Sequence, residues 1–161
     1  ELVQLCQEQG IAVLIDGAQS IALKPTLFES WGADMYTACL HKWLMAPVGT
    51  GIFAVKSSKI EQVWSMCPSD ESLGRDIRKY EQFGTRPLAP ILAISQALDF
   101  HEWLGMDMKH QRLQFLRMRL AEKVLNLNKI VHHGSTDPDR AAAMLRRGDP
   151  RTPGAGGVTN T

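Results

Sequence analysis

The sequence predicts an α/β fold with a mostly parallel sheet and one antiparallel strand, and three observations support this prediction. A continuous apolar run over 11–15 stops at Asp16, which is typical of a strand covered on both faces in a parallel sheet. A helix-then-strand spacing leads to a second strand over 34–39. The connection from there to 52–55 is too short for a parallel crossover, so the third strand should run antiparallel.

Turn residues define the elements around the first strand. Residues 1–9 have the pattern of a helix, and Gly10 stands where a left-handed residue ends one. Thr26 could cap a short helix that runs to Trp31 and is closed by Gly32. The chain should therefore alternate helix and strand from its first residue.

The second half of the chain is predicted to be helical. Residues 58–66 could form a helix, and the polar stretch 67–80 is predicted to be an exposed loop. Two longer helices are expected over 90–104 and 107–126, with Gly105 as the break between them. One side of each should be an apolar stripe: Ile91, Ile94 and Leu98, then Leu113, Leu116, Leu120 and Val124. Basic residues should cover the other side of the second helix: Arg112, Arg117, Arg119 and Lys123.

The composition argues against several classes of function. The 161 residues carry 18 lysines and arginines against 17 acidic residues, a net charge of +1, so no overall field favours nucleic acid or anionic lipid. The longest apolar run, 11–15, is too short to span a bilayer. Three cysteines without a CxxC pair fit a cytoplasmic protein better than a secreted disulfide scaffold. Adjacent His132 and His133 lack spaced partners, so we expect no metal site.

Two strand ends carry the residues with chemical potential. Asp16 follows the first strand, and Lys42 follows the second. The carboxyl ends of strands in open α/β sheets line the ligand crevice. A desolvated lysine can lose its proton and condense with an aldehyde, and a carboxylate nearby can pair with a protonated pyridine nitrogen. Pyridoxal phosphate requires this combination of an amine and an acid.

Three motifs support this interpretation: D-G-A-Q-S at 16–20, L-H-K-W-L-M-A-P-V-G-T-G at 40–51, and F-G-T-R-P at 83–87. With them the sequence resembles the class V aminotransferase family of pyridoxal-phosphate enzymes, most closely its isopenicillin-N-epimerase-like branch, over about 1–127. The resemblance implies part of the large cofactor-binding domain of a fold type I aminotransferase, a three-layer domain. By this resemblance, 1–104 is part of that large domain and 105–133 is a linking helix and the start of the small domain. Residues 134–161 are predicted to be a disordered tail because glycine, proline and arginine crowd its later part.

The resemblance also implies roles for individual residues. Lys42 would form the Schiff base with pyridoxal 5'-phosphate, and Asp16 would contact the pyridine nitrogen. Gln19 would hydrogen-bond the ring hydroxyl, and His41 resembles a phosphate-side residue. Thr85 resembles the threonine that family members extend across a dimer interface to the partner's phosphate.

The sequence departs from the family at Cys39, where many relatives have a phosphate-holding serine or asparagine; a thiol is a weaker donor. Simpler roles also fit several residues. Asp16 could cap its own turn, and Trp43 could be packing rather than a substrate wall. Arg86 could grip an anion or pair with Glu81.

We therefore predict a fragment of a pyridoxal-phosphate enzyme, homodimeric at full length, that acts on an amino acid or amino-acid derivative. Aminotransferase or epimerase chemistry is expected, with desulfurase or lyase chemistry as a weaker alternative. Glu1 lies directly inside the first helix pattern with no cap before it, which indicates a partial chain. The rival interpretation is a catalytically silent, truncated product or a subunit-pairing protein.

Overall fold

A short helix closed by a glycine leads into the sheet, as the sequence predicts. Helix α1 spans Leu2–Glu8, and Gly10 follows it with a φ of +67°. The N–H of Gly10 donates to the carbonyl of Gln7 at 2.9 Å, and the N–H of Ile11 donates to that of Cys6 at 2.8 Å. These two bonds form a Schellman motif, in which glycine adopts the left-handed conformation without a side-chain clash.

The structure is a computed structural model. It describes residues 1–25, 28–124, 127, 131–132, 135, 137, 143 and 147–148. The chain divides into two units, one made of 1–22 and 26–101 and the other of 23–25 and 102–161.

The first unit contains a three-stranded sheet in the order β1-β2-β3. The strands are β1 (Leu14–Asp16), β2 (Met35–Cys39) and β3 (Gly51–Val55). Strand β1 pairs parallel to β2, and β3 pairs antiparallel to β2, which confirms the predicted α/β sheet with its antiparallel strand. Because β1 and β2 are parallel neighbours, their carboxyl ends lie at the same edge of the sheet.

The prediction that the first strand is buried on both faces is wrong for this chain. Strand β1 contains only the last two residues of the apolar run and Asp16. Ile11 and Leu14 are more than half exposed. Strand β1 has a paired neighbour on one side, β2, among the described residues. Burial of such a strand requires a neighbour on each side and helices over both faces.

The core of the first unit lies around β2 and the loop that follows it. Its buried apolar residues are mostly small or medium in size: Ala22, Ala33, Tyr36, Ala38, Leu40, Leu44, Ala46, Ile60 and Ala97. Strand β2 buries alternate residues, as expected for the central strand of a small sheet.

The connecting segments differ from their predictions in detail. A 3-10 helix spans Phe28–Trp31, whereas its predicted cap, Thr26, lies outside the described residues. The helix predicted over 58–66 is a 3-10 helix over Ser57–Gln62. One 3-10 turn, Glu71–Leu73, lies within the predicted loop over 67–80, and a second, Ile77–Glu81, extends one residue beyond it.

Those turns form because two aspartates cap them. Asp70 accepts the N–H of Ser72 at 2.8 Å, and Asp76 accepts the N–H of Arg78 at 2.9 Å. Lys79 is buried there, and its Nζ donates to two backbone carbonyls, those of Ile60 and Gly74. The stretch is therefore largely exposed, as predicted, but it is folded into turns and buries Lys79.

Helices α2 (Ala89–Leu92), α3 (Ile94–Leu104) and α4 (Met106–Val124) follow. The single helix predicted over 90–104 is interrupted at Ala93, where ψ is −3°. Gly105 breaks the chain before α4 with a φ of +80°, as predicted. None of the helices in the described ranges is long and apolar enough to cross a membrane.

The predicted faces of these helices are only partly correct. Leu98, Leu116 and Leu120 are 44–50% exposed, so the apolar stripes are not fully covered in this chain. Arg117, predicted on the solvent side of α4, is buried, and its Nη2 donates to the carbonyl of Ser135. A guanidinium side chain can be buried where hydrogen-bond acceptors such as this carbonyl meet it.

The second unit also contains a pair of short antiparallel strands, β4 (Val131–His132) and β5 (Arg147–Gly148). The prediction of disorder over 134–161 falls largely outside the described residues, so it stays a prediction.

A buried carboxylate holds the start of β2 in place. Asp34 is 7% exposed, and its Oδ2 accepts the N–H of Val13 at 3.0 Å. Its Oδ1 lies 3.4 Å from Nζ of Lys56, which also donates to the carbonyl of Gly32 at 2.7 Å. The hydrogen bond from Val13 and then the charge of Lys56 lower the pKa of Asp34 below its ordinary value of 3.8.

This lowered pKa predicts how stability changes with pH. A carboxyl group with a lowered folded-state pKa stabilises the fold above its unfolded pKa and loses that contribution as the pH falls through the folded-state value. We expect Asp34→Asn, which keeps an acceptor for Val13 but loses the charge, to destabilise the protein by about 1–2 kcal/mol near neutral pH. The deficit should shrink as the pH falls below the ordinary value of 3.8 and the carboxylate becomes protonated. Urea unfolding of the parent and of Asp34→Asn at several pH values measures this difference in the free energy of unfolding. A difference independent of pH would contradict this role for the charge.

Candidate active site

The turn after β1 places a carboxylate at the edge of the sheet. Asp16 is the last residue of β1 and lies opposite Thr37 of β2. The N–H of Gly17 continues the pairing with a 2.6 Å bond to the carbonyl of Thr37. Oδ1 of Asp16 accepts the N–H of Ala18 at 2.9 Å. The predicted turn-capping role of Asp16 is confirmed, and its exposed carboxylate keeps an oxygen for a ligand.

Beneath this turn lies an aromatic side chain that sequence reasoning missed. Gly17 is buried against the ring of Tyr36, and the Tyr36 hydroxyl lies 3.0 Å from Oγ of Ser20. Phe28 and Trp31 flank the same ring, with centroid distances of 5.3 and 5.5 Å. The glycine and the serine of the D-G-A-Q-S motif therefore fit the turn onto β2.

The loop after β2 carries the lysine. Its backbone folds back on itself: the N–H of Ala46 donates to the carbonyl of Leu40, and that of Met45 donates to the carbonyl of Lys42. Met45 takes a φ of +63° within this tight turn. Lys42 is half-buried, and its Nζ makes no hydrogen bond or ion pair with any residue that the structure describes. The amine is therefore available to a ligand.

One hydrogen bond joins the lysine loop to the aspartate turn. Nε1 of Trp43 donates to Oε1 of Gln19 at 3.0 Å. Trp43 directly follows Lys42, and Gln19 lies three residues after Asp16. The structure thus brings the two predicted turns into direct contact. The sequence indicates Trp43 and Gln19 separately but does not predict the hydrogen bond between them.

His41 is oriented by the glycine-threonine turn before β3. Its Nδ1 lies 3.2 Å from the carbonyl of Thr50, which also accepts the N–H of Leu40. A carbonyl only accepts, so Nδ1 carries the proton and Nε2 is left for another partner. Thr50 is buried, and its hydroxyl donates to the carbonyl of Pro47 at 2.7 Å. Thr50 belongs to the G-T-G motif at 49–51, so the motif was the feature of the sequence that could have indicated this contact with His41.

The remaining predicted residues lie apart from these contacts. Cys39 is the last residue of β2, opposite Gly51, and is half-buried. Thr85 lies on the exposed segment 81–89 and makes no side-chain hydrogen bond with the described residues. Arg86 donates to the backbone carbonyl of Glu81 at 3.1 Å and stacks on Phe83, so the alternative of an ion pair with the Glu81 carboxylate is not realised.

Three of these side chains carry groups of the kinds that could hold pyridoxal phosphate at its ring and aldehyde end. An exposed carboxylate, a lysine amine that bonds to none of the described residues and a glutamine amide lie on two turns joined by a hydrogen bond. The amide nitrogen of Gln19 makes no hydrogen bond within the described part of the chain, so it can donate to a ligand oxygen. Pyridoxal phosphate needs an acid for its pyridinium nitrogen, an amine for its aldehyde and a hydrogen-bond partner for its ring hydroxyl, and these three side chains are of those types.

Several solved structures share the fold of this chain. The apo structure of a cysteine desulfurase from Thermococcus onnurineus NA1 superimposes with a TM-score of 0.72 at 16% identity, over 94% of this chain and 40% of that one. An alanine–glyoxylate aminotransferase from Nostoc sp. superimposes with a TM-score of 0.68 at 20% identity, over 93% of this chain and 41% of that one. The fold is that of fold type I pyridoxal-phosphate enzymes.

The family follows from the sequence match. The family model described as aminotransferase class V matches residues 1–146, and the chain belongs to this pyridoxal-phosphate-dependent family. The isopenicillin N epimerase of Amycolatopsis lactamdurans is 30% identical over 140 residues, covering 73% of this chain and 35% of that protein. A putative L-cysteine desulfhydrase 1 of Oryza sativa subsp. japonica is 28% identical over 158 residues, 93% of this chain and 32% of that protein. The chain thus spans about a third of the length of these relatives.

Proposed function

We propose that this chain supplies the lysine, the acid and the ring-hydroxyl partner of an enzyme that acts on amino acids or their derivatives. The observation that carries the proposal is the Trp43–Gln19 hydrogen bond, because it joins the Lys42 loop to the Asp16 turn. The family membership adds the cofactor, pyridoxal 5'-phosphate.

Each residue has a distinct task in this proposal. Bound pyridoxal phosphate withdraws electrons from the α-carbon of an amino acid. Nζ of Lys42 would hold the aldehyde of the cofactor, and as a free amine it would accept the α-proton of the substrate. The carboxylate of Asp16 keeps the proton on the pyridine nitrogen, since an opposite charge nearby favours the charged form. The amide of Gln19 donates to the ring hydroxyl oxygen.

The phosphate end involves the other predicted residues. Nε2 of His41 is available for the phosphate because Thr50 occupies Nδ1. Cys39 is the last residue of β2, and a thiol is a weak hydrogen-bond donor, so its contribution at the phosphate should be small. Thr85 is exposed, as a residue that reaches the partner subunit's cofactor must be, and we propose that the full-length enzyme is a homodimer.

The fate of the α-proton decides the reaction. Return of the proton to the opposite face of the α-carbon would invert the amino acid, whereas its delivery to the cofactor would lead to transamination. The match to isopenicillin N epimerases from two organisms, both 30% identical, favours epimerase chemistry. A match to a cysteine desulfurase of Haloferax volcanii, 24% identical over 153 residues, supports the second candidate, removal of sulfur from cysteine.

Cys6, Cys39 and Cys67 are free thiols, which accords with the cytoplasmic location that we propose.

The test is covalent trapping of the cofactor. The full-length polypeptide that carries these residues is incubated with pyridoxal phosphate, reduced with borohydride and mapped by peptide mass spectrometry. We expect the label on Lys42 and none on Lys56, whose amine is already bonded to Gly32 and Asp34. Loss of the label in Lys42→Arg, but not in Lys56→Arg, would support the assignment. A protein without any labelled lysine would instead favour a catalytically silent, subunit-pairing role.

A further inference from the structure

The hydrogen bond between Trp43 and Gln19 has a direction that its chemistry imposes. An indole N–H is a donor only, whereas a glutamine amide has an acceptor end and a donor end. Nε1 of Trp43 lies 3.0 Å from Oε1 of Gln19, so the acceptor end of the amide faces the indole. With the amide reversed, two donors would face each other and the bond would be lost.

The same bond determines what Gln19 can offer to a ligand. Its oxygen is occupied, and its amide nitrogen makes no hydrogen bond with the described residues. Gln19 itself is exposed, whereas Trp43 is half-buried, so the tryptophan is the better-held member of the pair. A free glutamine on an exposed turn would sample both amide orientations and many rotamers.

We propose that Trp43 is a positioning residue for cofactor recognition: it holds the Gln19 amide with its N–H₂ end available to an acceptor oxygen on the bound ring. The inference rests on the proposed function, in which that oxygen is the ring hydroxyl of pyridoxal phosphate. Trp43 acts through Gln19 and need not touch the cofactor. Because Trp43 follows Lys42 directly, the bond also limits movement of the lysine loop relative to the glutamine turn.

Four variants of the full-length polypeptide separate this role from simple packing. Trp43→Phe keeps an aromatic ring and removes the donor. Gln19→Ala removes the amide, and Gln19→Glu keeps an acceptor for the indole but has no N–H₂ to give. Trp64→Phe is the matched control, since Trp64 is 91% exposed and belongs to no proposed site.

Spectral titration with pyridoxal phosphate measures the dissociation constant of each variant. We expect Trp43→Phe to raise this constant by about threefold to tenfold, the range for one lost hydrogen bond. Gln19→Ala and Gln19→Glu should raise it at least as much, and Trp64→Phe should leave it unchanged. Adding Trp43→Phe to Gln19→Ala should cause no further loss, because the proposed effect of the tryptophan on the cofactor passes through the amide.

A second measurement needs no cofactor. In ¹⁵N-labelled protein, hydrogen exchange of the Trp43 indole N–H should be slowed in the parent and in Gln19→Glu, and fast in Gln19→Ala. The inference is overturned if the parent binds the cofactor and Trp43→Phe binds it equally well, or if the losses of the Trp43→Phe and Gln19→Ala variants add. If the parent captures no pyridoxal phosphate on Lys42, the proposed function fails and this inference fails with it. That outcome differs from the two above, in which the parent binds the cofactor and only the role of Trp43 is refuted.

Discussion

Replacing Asp16 by asparagine is expected to slow α-proton exchange in the full-length enzyme by about 10²–10³-fold, the usual cost of losing one preorganised electrostatic contact. In the parent, the N–H of Ala18 donates to Oδ1 of Asp16 at 2.9 Å. The asparagine oxygen can accept the same N–H, so the turn after β1 should keep its shape. What disappears is the negative charge proposed to keep the pyridine nitrogen protonated. The loss should therefore appear in the rate of proton removal rather than in folding.

The measurement needs no knowledge of the product. Exchange of the α-proton in deuterated water, followed by nuclear magnetic resonance over a panel of amino acids, reports the proton-transfer step alone. Asp16→Ala should lose activity to a similar extent and also lose the turn contact, which a lower thermal midpoint would reveal. If Asp16→Asn exchanged protons at the parental rate while Asp16→Ala did not, the carboxylate would serve the turn and not the cofactor.

Replacing Gly17 by alanine should have the largest effect on folding. An added Cβ would lie 2.2 Å from Cε2 and Cζ of Tyr36, well inside van der Waals contact. The Tyr36 ring has little room to retreat, since Phe28 and Trp31 flank it and its hydroxyl meets Ser20. We expect a loss of about 1–3 kcal/mol in the free energy of unfolding, typical of overpacking in a buried site.

A matched substitution isolates the steric cause. At Gly74 an added Cβ meets only the carbonyl of Glu71, at 3.4 Å, and the backbone is helical, so Gly74→Ala should change stability by less than about 1 kcal/mol. Denaturant unfolding of both variants gives the comparison. In a Tyr36→Ala background, where the ring is gone, Gly17→Ala should cost much less than in the parent. Equal costs in the two backgrounds would remove Tyr36 from the explanation.

Local patterns were enough to predict much of the fold. The Gly10 stop, the antiparallel third strand and the Gly105 break all depend on a few consecutive residues, and the structure has each of them. The same holds for the turn cap at Asp16, which involves a residue only two positions away. The predicted roles of Lys42 and its neighbours came from motif resemblance, and they stay proposals.

Burial was less predictable because it depends on what surrounds an element. The apolar run before Asp16 indicates a strand covered on both faces, yet β1 pairs on one side and leaves Leu14 exposed. The polar composition of 67–80 indicates an exposed loop, yet Lys79 is buried because two carbonyls receive its amine. Neither outcome can be deduced from the residues of the segment alone.

The linear order of residues was sufficient to identify the strands, the turns and the motifs of the family, because hydrophobic period and turn chemistry act over a few positions. Contacts between distant positions depended on the folded chain. Gly17 meets Tyr36 through the parallel register of β1 with β2, and Trp43 meets Gln19 across 24 positions through the fold of the loop after β2. Strand register and loop path decide such pairs, and both are set by the packing of the whole unit rather than by any short stretch of sequence.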